Sequence, residues 1–598
     1  MLMKTSRRKL LGLLPATLLL GGTAVASNKK AKEDSPSLKG DGFITPQLYG
    51  IEPGEKVYGE QMAKLISSGG DIRFIKPGVY LTDRTLVIPS STRIWIGNGV
   101  TLKLANNSNC NIFQNYAYHE NSEKPDQTIE IAGSGEIDFN GKNQKTSNLT
   151  HMCSILKNIE NLYIGGGLKV LNANKYAWLV AKIGNLTVDG LNFDTFSDGL
   201  HCQPPIKNAY IRNLKGKTGD DMLAFTIGDY ANYDISEPGD FENVDVSGLY
   251  CDSALCAVKI TGNDIGAFDK FRITGIYGNT KHAVFRIWGD TNLLSTNVRG
   301  LTVEDIHAIP ADGYPVVDID DRNFASGKFG IEIQNATFRN IYNSSDNEQT
   351  IRVSSTVGTK IHNLHIENPP RKSICIVGVN HKSTVICNLT VCNGYTDFID
   401  NSNSSIVLNR GTIERIVIDN YKAKFQNSNN GCIARMIGDC RVDEAIFSGV
   451  LQENGVSGWI NVNSGMSTES NLNVINYTCS GKGRIAQVLS SKLYLKITNT
   501  KVINGNPSDK IFYVKGGEMT ISGDVDCDYN TIAADNGGVI ITRPGINNIC
   551  CDVSLLNAKE SSVVINTNKS LPCGVGLVVL SGSTWKNLAT GSVYETNK

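Results

Sequence analysis

The sequence predicts an all-β fold, a right-handed parallel β-helix with an N-terminal capping helix, and three observations carry that expectation. One seven-residue phrase returns along most of the chain at near-constant intervals. Each copy alternates apolar and polar residues before a turn residue, and no helical return is visible between copies.

The phrase reads NLYIGGG from Asn161, NLTVDGL from Asn185, NAYIRNL from Asn208, NVDVSGL from Asn243, KFRITGI from Lys270 and GLTVEDI from Gly300. Looser copies begin at Asn335, Asn363, Asn388, Arg415, Glu444 and Asn471, and the intervals run from 23 to 30 residues except for two of 35. A strand this short cannot bury its inward face alone, so the copies must stack. Leucine-rich repeats of similar length need a leucine consensus and a helical return, and a propeller blade needs roughly 40 residues. Stacked parallel coils spaced by about 4.8 Å remain.

Ahead of the repeats, EKVYGEQMAKLISS from Glu55 to Ser68 has helical spacing and is expected to cap the open end of the solenoid. The segment after it, GDIRFIKPGVYLTDRTLVIPSSTRIWIGNGVTLKL, resembles the opening coils of the pectate-lyase-like superfamily. Beyond about Ile485 the phrase decays while strand-like runs such as EMTISGDV and VGLVVLSG continue, either as more coils or as a terminal β domain. The expected organisation is a leader or attachment segment over 1–27, a linker over 28–42, capping helix and first coils over 43–104, the main β-helix over 105–484 and a terminal region over 485–598.

The 59 glycines and the abundance of Val, Ile and Thr agree with short strands and tight turns. With 58 basic and 58 acidic residues, the chain has no broad attraction for nucleic acid or an anionic membrane, and neither partner is expected. The 15 cysteines, an odd number scattered through apolar runs, read as core fillers with at most one or two disulfides. Cys387 and Cys392 have no second ligand pair nearby, so zinc is not expected.

At the amino terminus, TSRRKLLGLLPATLLLGGTAVAS places Ser6, Arg7 and Arg8 before an apolar run too short to span a membrane, followed by the small residues Ala24, Val25 and Ala26. It resembles a twin-arginine export signal, which implies the periplasm or the cell exterior. The other reading is a helix that docks onto a larger assembly such as a virion.

Chemistry concentrates at KTGDDMLAF from Lys217, where Asp220 and Asp221 stand side by side. A lone Gly-Asp-Asp is a common turn. The register changes its meaning. Counting thirteen residues from the start of a phrase gives Asp198 from Asn185 and Asp221 from Asn208, so the two stack on neighbouring coils with Asp220 beside them. Counting fifteen gives an inward apolar column of Leu200, Leu223, Val258 and Phe285. Counting sixteen gives His201, Ala224, Lys259 and Arg286 on the outward parity.

Three crowded carboxylates cannot all ionise freely, which leaves a neutral acid beside anionic bases. Glycosidic cleavage without a metal uses that pair of states, and no metal or cofactor is expected. His201 is expected as a groove contact, and Lys259 and Arg286 as contacts to a uronate, pyruvate or other anionic group on a glycan. Tyr230 and Tyr233, on the insertion TIGDYANYDISEPGD, and Trp288 two coils on, are expected to stack on sugar rings. Cys256, in the carboxylate column, reads as packing. A second insertion, DGYPVVDIDDRNFASG, is acidic but lacks the spacing of a calcium loop.

The stretch NANKYAWLVAKIGNLTVDGLNFDTFSDGLHC, followed by IKNAYIRNLKGKTGDDMLAF, resembles the polygalacturonase family of glycoside hydrolases over about Asn172 to Asp290. In that family an Asp near the end of one coil is followed one coil later by Gly-Asp-Asp. The resemblance implies Asp220 as general acid, with Asp198 and Asp221 positioning a water so that the anomer inverts. Arg286 in VFRIWGD matches the arginine of the family's Arg-Ile-Lys element. Trp288 replaces its lysine, and DSALCAVKI stands where Gly-His-Gly is usual.

The wording SDGLHCQPPIKNAYIRNLKGKTGDDMLAFTIGDYANYDIS from Ser197, followed by FRIWGD, also resembles bacteriophage tailspike depolymerases. That resemblance implies a homotrimeric receptor-binding protein on the virion tail, joined to other tail or spike proteins, that binds and hydrolyses host capsular polysaccharide during attachment. An exported bacterial polysaccharide hydrolase, a polysaccharide lyase and a non-catalytic adhesin are the other readings.

Overall fold

Each coil of this chain turns because the sixth residue of the phrase takes a positive φ. Gly190 (78°), Asn213 (56°), Gly248 (69°), Gly275 (72°), Asp305 (59°) and Asn340 (53°) all do so, as do Asn368, Asn393, Asn420, Gly449 and Asn476. Only glycine, or Asn and Asp with their short polar side chains, visits that region readily. The asparagines then hydrogen-bond up the stack: Asn340 donates to Asp305 at 2.9 Å and Asn368 to Asn340 at 2.8 Å. A second ladder runs through the first residue of the phrase, with Asn185 donating to Asn161 and Asn208 to Asn185, both at 2.9 Å.

The computed structural model describes residues 42–596 apart from 146–153, 231, 263–264, 290–294, 322–329, 344–348, 356–357, 399–403, 427–430, 463–468, 482, 504–509 and 528–529. The segment expected as leader, over 1–27, lies outside the described residues, as does the end of the second insertion.

The chain is a right-handed parallel β-helix, and among the described residues 37 strands join one continuous sheet. Around the site, Ser154–Leu171, Trp178–Asp194, Leu200–Lys217, Phe241–Ala254 and Phe268–Thr280 pair in parallel, each with the next. Inside, one ladder stacks Leu186, Ala209, Val244, Phe271, Leu301 and Ala336, all buried. Within the phrase itself the outward neighbours stay partly exposed, the alternation that the phrase encodes.

A helix does precede the coils, but it spans Gly59–Ser67 rather than starting at Glu55, because Val57 forms a parallel bridge with Leu81. Its apolar face, Met62, Leu65 and Ile66, joins the core and packs on Leu86–Ile88. Past Ile485 the coils continue through Lys492–Ile503 and Glu518–Asp526 to Val539–Thr542. A separate five-stranded sheet, Gly545–Cys551 to Val593–Glu595, follows and is antiparallel after its first pair. The described cysteines are free, and most are buried. No helix among the described residues is long and apolar enough to cross a membrane.

The left-handed turn residue can be tested directly. Asn340→Ala and Asn340→Gly lose the same ladder hydrogen bonds, but only alanine puts a Cβ in the left-handed region. The alanine variant is therefore expected to be the less stable of the two, by about 1–2 kcal/mol, in parallel denaturant or thermal melts.

Candidate active site

The ladder puts the acids where the spacing predicts. Leu200 pairs with Leu223, Leu223 with Val258 and Val258 with Phe285. Asp198, Asp221 and Cys256 each stand two residues before a member of that column, in the stacked turns that lead into the strands. Backbone hydrogen bonds clamp those turns together: Gly199 N–H donates to the Asp221 carbonyl at 3.0 Å and Met222 N–H to the Cys256 carbonyl at 3.0 Å. Gly219 precedes the pair because the turn passes against the Phe196 backbone, where a Cβ would collide with the Phe196 carbonyl.

Asp198, Asp220 and Asp221 each offer a carboxylate oxygen within 4.8 Å of the others. Asp198 and Asp221 are buried, while Asp220 keeps partial exposure. Burial pushes the Asp221 carboxyl up to about 7; Asp198 and Asp220 add repulsion, and the Lys259 ammonium pulls the other way. Asp220 is raised for the same two reasons, burial first and the Asp198 charge second. The triad thus favours holding at least one proton. The same three oxygens are close enough to share a divalent cation, although Lys259 already places a positive charge 3.7 Å from Asp221.

Asp221 is otherwise held by the Cys256 backbone N–H, which donates to its Oδ1 at 3.2 Å. The outward column runs His201, Ala224, Lys259, Arg286, as expected, and continues through Asp318 to Arg352. Burial works against the charge on Lys259, but Asp221, Asp198 and Asp220 together raise its pKa.

Several expected contacts take other roles. His201 is not a groove wall residue: it is 4% exposed, with Nδ1 at 2.7 Å from Asp198 and Nε2 at 3.3 Å from Asp229. Arg286 is also buried, its guanidinium between Asp318 at 3.9 Å and Asp320 at 3.4 Å and over the Trp288 ring at 4.5 Å. Lys259 lies over the same ring at 4.4 Å, so the indole already packs against two of the protein's own cations. Tyr233 packs edge-on to Tyr176 in a small apolar cluster, while Tyr230 is exposed.

The reason is the insertion after Leu223–Ile227. It folds back over the coils of Ile155 and Leu179 instead of standing away from the groove. Gln203 ties it down by donating to Asp229 and to the Tyr233 carbonyl and accepting from Ile235 N–H. Glu237 pairs with Lys182 at 2.9 Å and Lys157 at 3.4 Å. Tyr176, Asp229, Gln203 and Asp318 have no assigned part in the sequence reading. The signal for the cover was present: Ile155 and Leu179 occupy the outward column just before His201, and two stacked apolar residues there require something to bury them.

The chain matches no protein-family model and no curated protein. Among solved structures it is similar to a family 28 exopolygalacturonase from Yersinia enterocolitica, with 14% identity, 78% of each chain covered and a TM-score of 0.31. It is also similar to the N-terminal fragment of bacteriophage phi29 gene product 12, with 12% identity, 93% of this chain and 96% of that one covered and a TM-score of 0.38. A third is a tailspike mutant of E. coli bacteriophage HK620 in complex with a pentasaccharide, with 10% identity, 87% and 80% covered and a TM-score of 0.23. The fold is defined by the chain's own hydrogen-bond ladder, and likeness at this level assigns no chemistry.

Two outcomes follow from the geometry. An acid whose folded pKa lies above its unfolded value destabilises the fold as pH rises from the ordinary 3.8 through about 7. Asp221→Asn is therefore expected to gain thermal stability relative to wild type between pH 4 and pH 8, by at most about 4 kcal/mol. Melting temperatures at both pH values measure it, and an unchanged difference would mean that Asp221 is ionised throughout. Gly219→Ala is expected to cost more than about 2 kcal/mol through its backbone collision, read in the same melts.

Proposed function

We propose that the chain is a polysaccharide-degrading glycosidase, a tailspike depolymerase that hydrolyses host capsular polysaccharide during attachment. The observation that carries the reading is the unequal supply of partners to three crowded carboxylates. Asp198 faces His201, and Asp221 faces Lys259 and a backbone N–H. Among the described residues Asp220 has no side-chain partner, and it is the half-exposed member of the three. A carboxyl that is raised, unpaired and open to the groove suits the donor of a proton to the leaving glycosidic oxygen.

In this mechanism Asp220 protonates the leaving oxygen, and Asp198 and Asp221 position the attacking water, whose proton passes to Asp198. The water adds opposite the departing bond and the anomer inverts. The short spacing of the acids also fits a nucleophilic carboxylate and a retained anomer, since retaining glycosidases hold their pair about 5–5.5 Å apart. Product anomers read by proton NMR in the first minutes decide between the two. Trp288 packs on Lys259 beside the triad, where an anionic sugar substituent would meet the ammonium next to Asp221.

The wider assignment is part of the same proposal: a homotrimer on the virion tail, docked through its N-terminal segment onto other tail or spike proteins. The twin-arginine-like sequence favours a second reading, an exported bacterial hydrolase of the same chemistry. Mass analysis separates them, because export removes residues up to about Ala26 and virion assembly retains them.

The first test is end-product analysis of wild type and Asp220→Asn on a panel of enterobacterial capsular polysaccharides. New reducing ends without near-ultraviolet absorbance, lost by about a hundredfold or more in the folded variant, are the expected result. Absorbance would mean elimination, binding without shortening would mean an adhesin, and cleavage that survives the substitution would overturn the acid assignment.

A further inference from the structure

His201 is the group that the glycosidase reading leaves unused, and its surroundings are unusual for a structural histidine. It is buried between two carboxylates from different parts of the chain. Asp198 comes from the turn just before it, and Asp229 from the insertion after the next coil. Nδ1 shares a hydrogen bond with Asp198 at 2.7 Å, while Nε2 lies 3.3 Å from Asp229 without the alignment of a hydrogen bond. The second contact is charge against charge, and two ionised carboxylates on opposite sides favour a ring protonated at both nitrogens. Tyr176 covers the ring face, stacked at 3.7 Å, and its hydroxyl donates to Asp229 at 2.7 Å. Lys175 closes the outer side, over the rings of Tyr176 and Tyr233 at 4.4 and 4.5 Å.

We propose that His201 is a positioning residue, an imidazolium bridge that fixes Asp198 within the acid triad and is itself locked from behind by Asp229 on the insertion. The proposal rests on the glycosidase reading of the triad and adds to it a residue that touches no substrate. The charged groups around the ring are Asp198, Asp220 and Asp229, opposed by Lys175 and by Lys259 one coil beyond Ala224. Burial alone would drive the ring neutral, but its contacts to Asp198 and Asp229 outweigh it and raise the pKa to about 9. Burial would likewise raise Asp229; the imidazolium, Tyr176 and the Tyr230 N–H bring it down to about 2 instead. An anion so placed beside the triad would add repulsion to Asp198 unless a cation stood between them. His201 is that cation.

The bridge has consequences that a merely structural histidine lacks. Without it the triad faces Asp229 directly, and a base needed in its ionised form takes up a proton at higher pH. In His201→Gln the acid limb of the kcat/KM profile is expected to move up by about one pH unit or more. In Asp229→Asn, which keeps the shape of the loop anchor, the ring loses one of its two anions. There the imidazolium is expected to lose its proton at lower pH than in wild type, which the histidine signal reads directly.

The test pairs these profiles with NMR of protein carrying 13C-labelled histidine, where the His201 signal is identified by its absence in His201→Gln. An imidazolium signal that persists to about pH 9 and titrates lower in Asp229→Asn supports the bridge. A neutral ring at pH 7 overturns it. If wild type cleaves the polysaccharide and the folded His201→Gln variant keeps the acid limb in place, the positioning role falls even though the ring is charged. If wild type cleaves nothing on the panel, the glycosidase reading fails and takes the positioning role with it, while the NMR titration still decides whether the bridge exists.

Discussion

The molecule depends on one constraint, the fixed rise of about 4.8 Å from coil to coil that parallel backbone pairing imposes. Residues at the same place in successive coils cannot choose their distance from one another. Apolar ones gain from this, since Leu186, Ala209, Val244 and Phe271 stack into a core without gaps in the ladder. Like charges lose by it. Two carboxylates at such a spacing repel by about 3.5 kcal/mol at an effective dielectric constant of 20, more than a turn would tolerate without the surrounding pairing. The fold holds Asp198 and Asp221 together with backbone hydrogen bonds and a buried core column, and the raised pKa of Asp221 lets proton uptake there relieve the remaining repulsion.

A second consequence of the same rise is that the outward face can also need covering. Ile155, Leu179 and His201 follow one another along one column, a strip too apolar at its start and too charged at its end to be left in water. The insertion that carries Asp229 meets both needs. Its apolar residues Tyr233 and Ile235 lie on Ile155, Tyr176 and Leu179, and its carboxylate meets the imidazole. The loop that resembles a groove wall in the sequence thereby becomes part of the support of the site.

This explains which features were legible in the sequence. The coil architecture was, because the sixth-position Gly or Asn and the alternating phrase are local requirements repeated in every turn. The triad was too, because the phrase starts of Asn185 and Asn208 lie one plain coil apart and no bulge intervenes before the acids. The roles of His201 and Arg286 were not, because parity says only that a side chain leaves the solenoid. Whether it then meets water depends on an insertion whose path is set by long-range contacts, here Glu237 to Lys182 and Gln203 to Ile235. For Arg286 the deciding partners are Asp318 and Asp320, displaced in sequence by the second insertion but brought into register by the ladder.

Along the outward column the charges are ordered rather than mixed: His201 beside the acids, then Lys259, Arg286, Asp318 and Arg352. Asp318 is buried and shared between the two arginines, with Arg352 donating to it from Nε and Nη2 at 3.0 and 3.1 Å. That arrangement satisfies the far end of the column internally. Lys259 faces the triad with a pairing distance of 3.7 Å that is looser than those bonds and a side chain that retains some exposure. An anionic substituent in the groove would draw this ammonium away from Asp221. Since Lys259 is the group that opposes the raised pKa of Asp221, such a substituent would also favour the protonated form of that acid. Recognition of charge and the protonation of the triad are therefore two readings of one lysine's position.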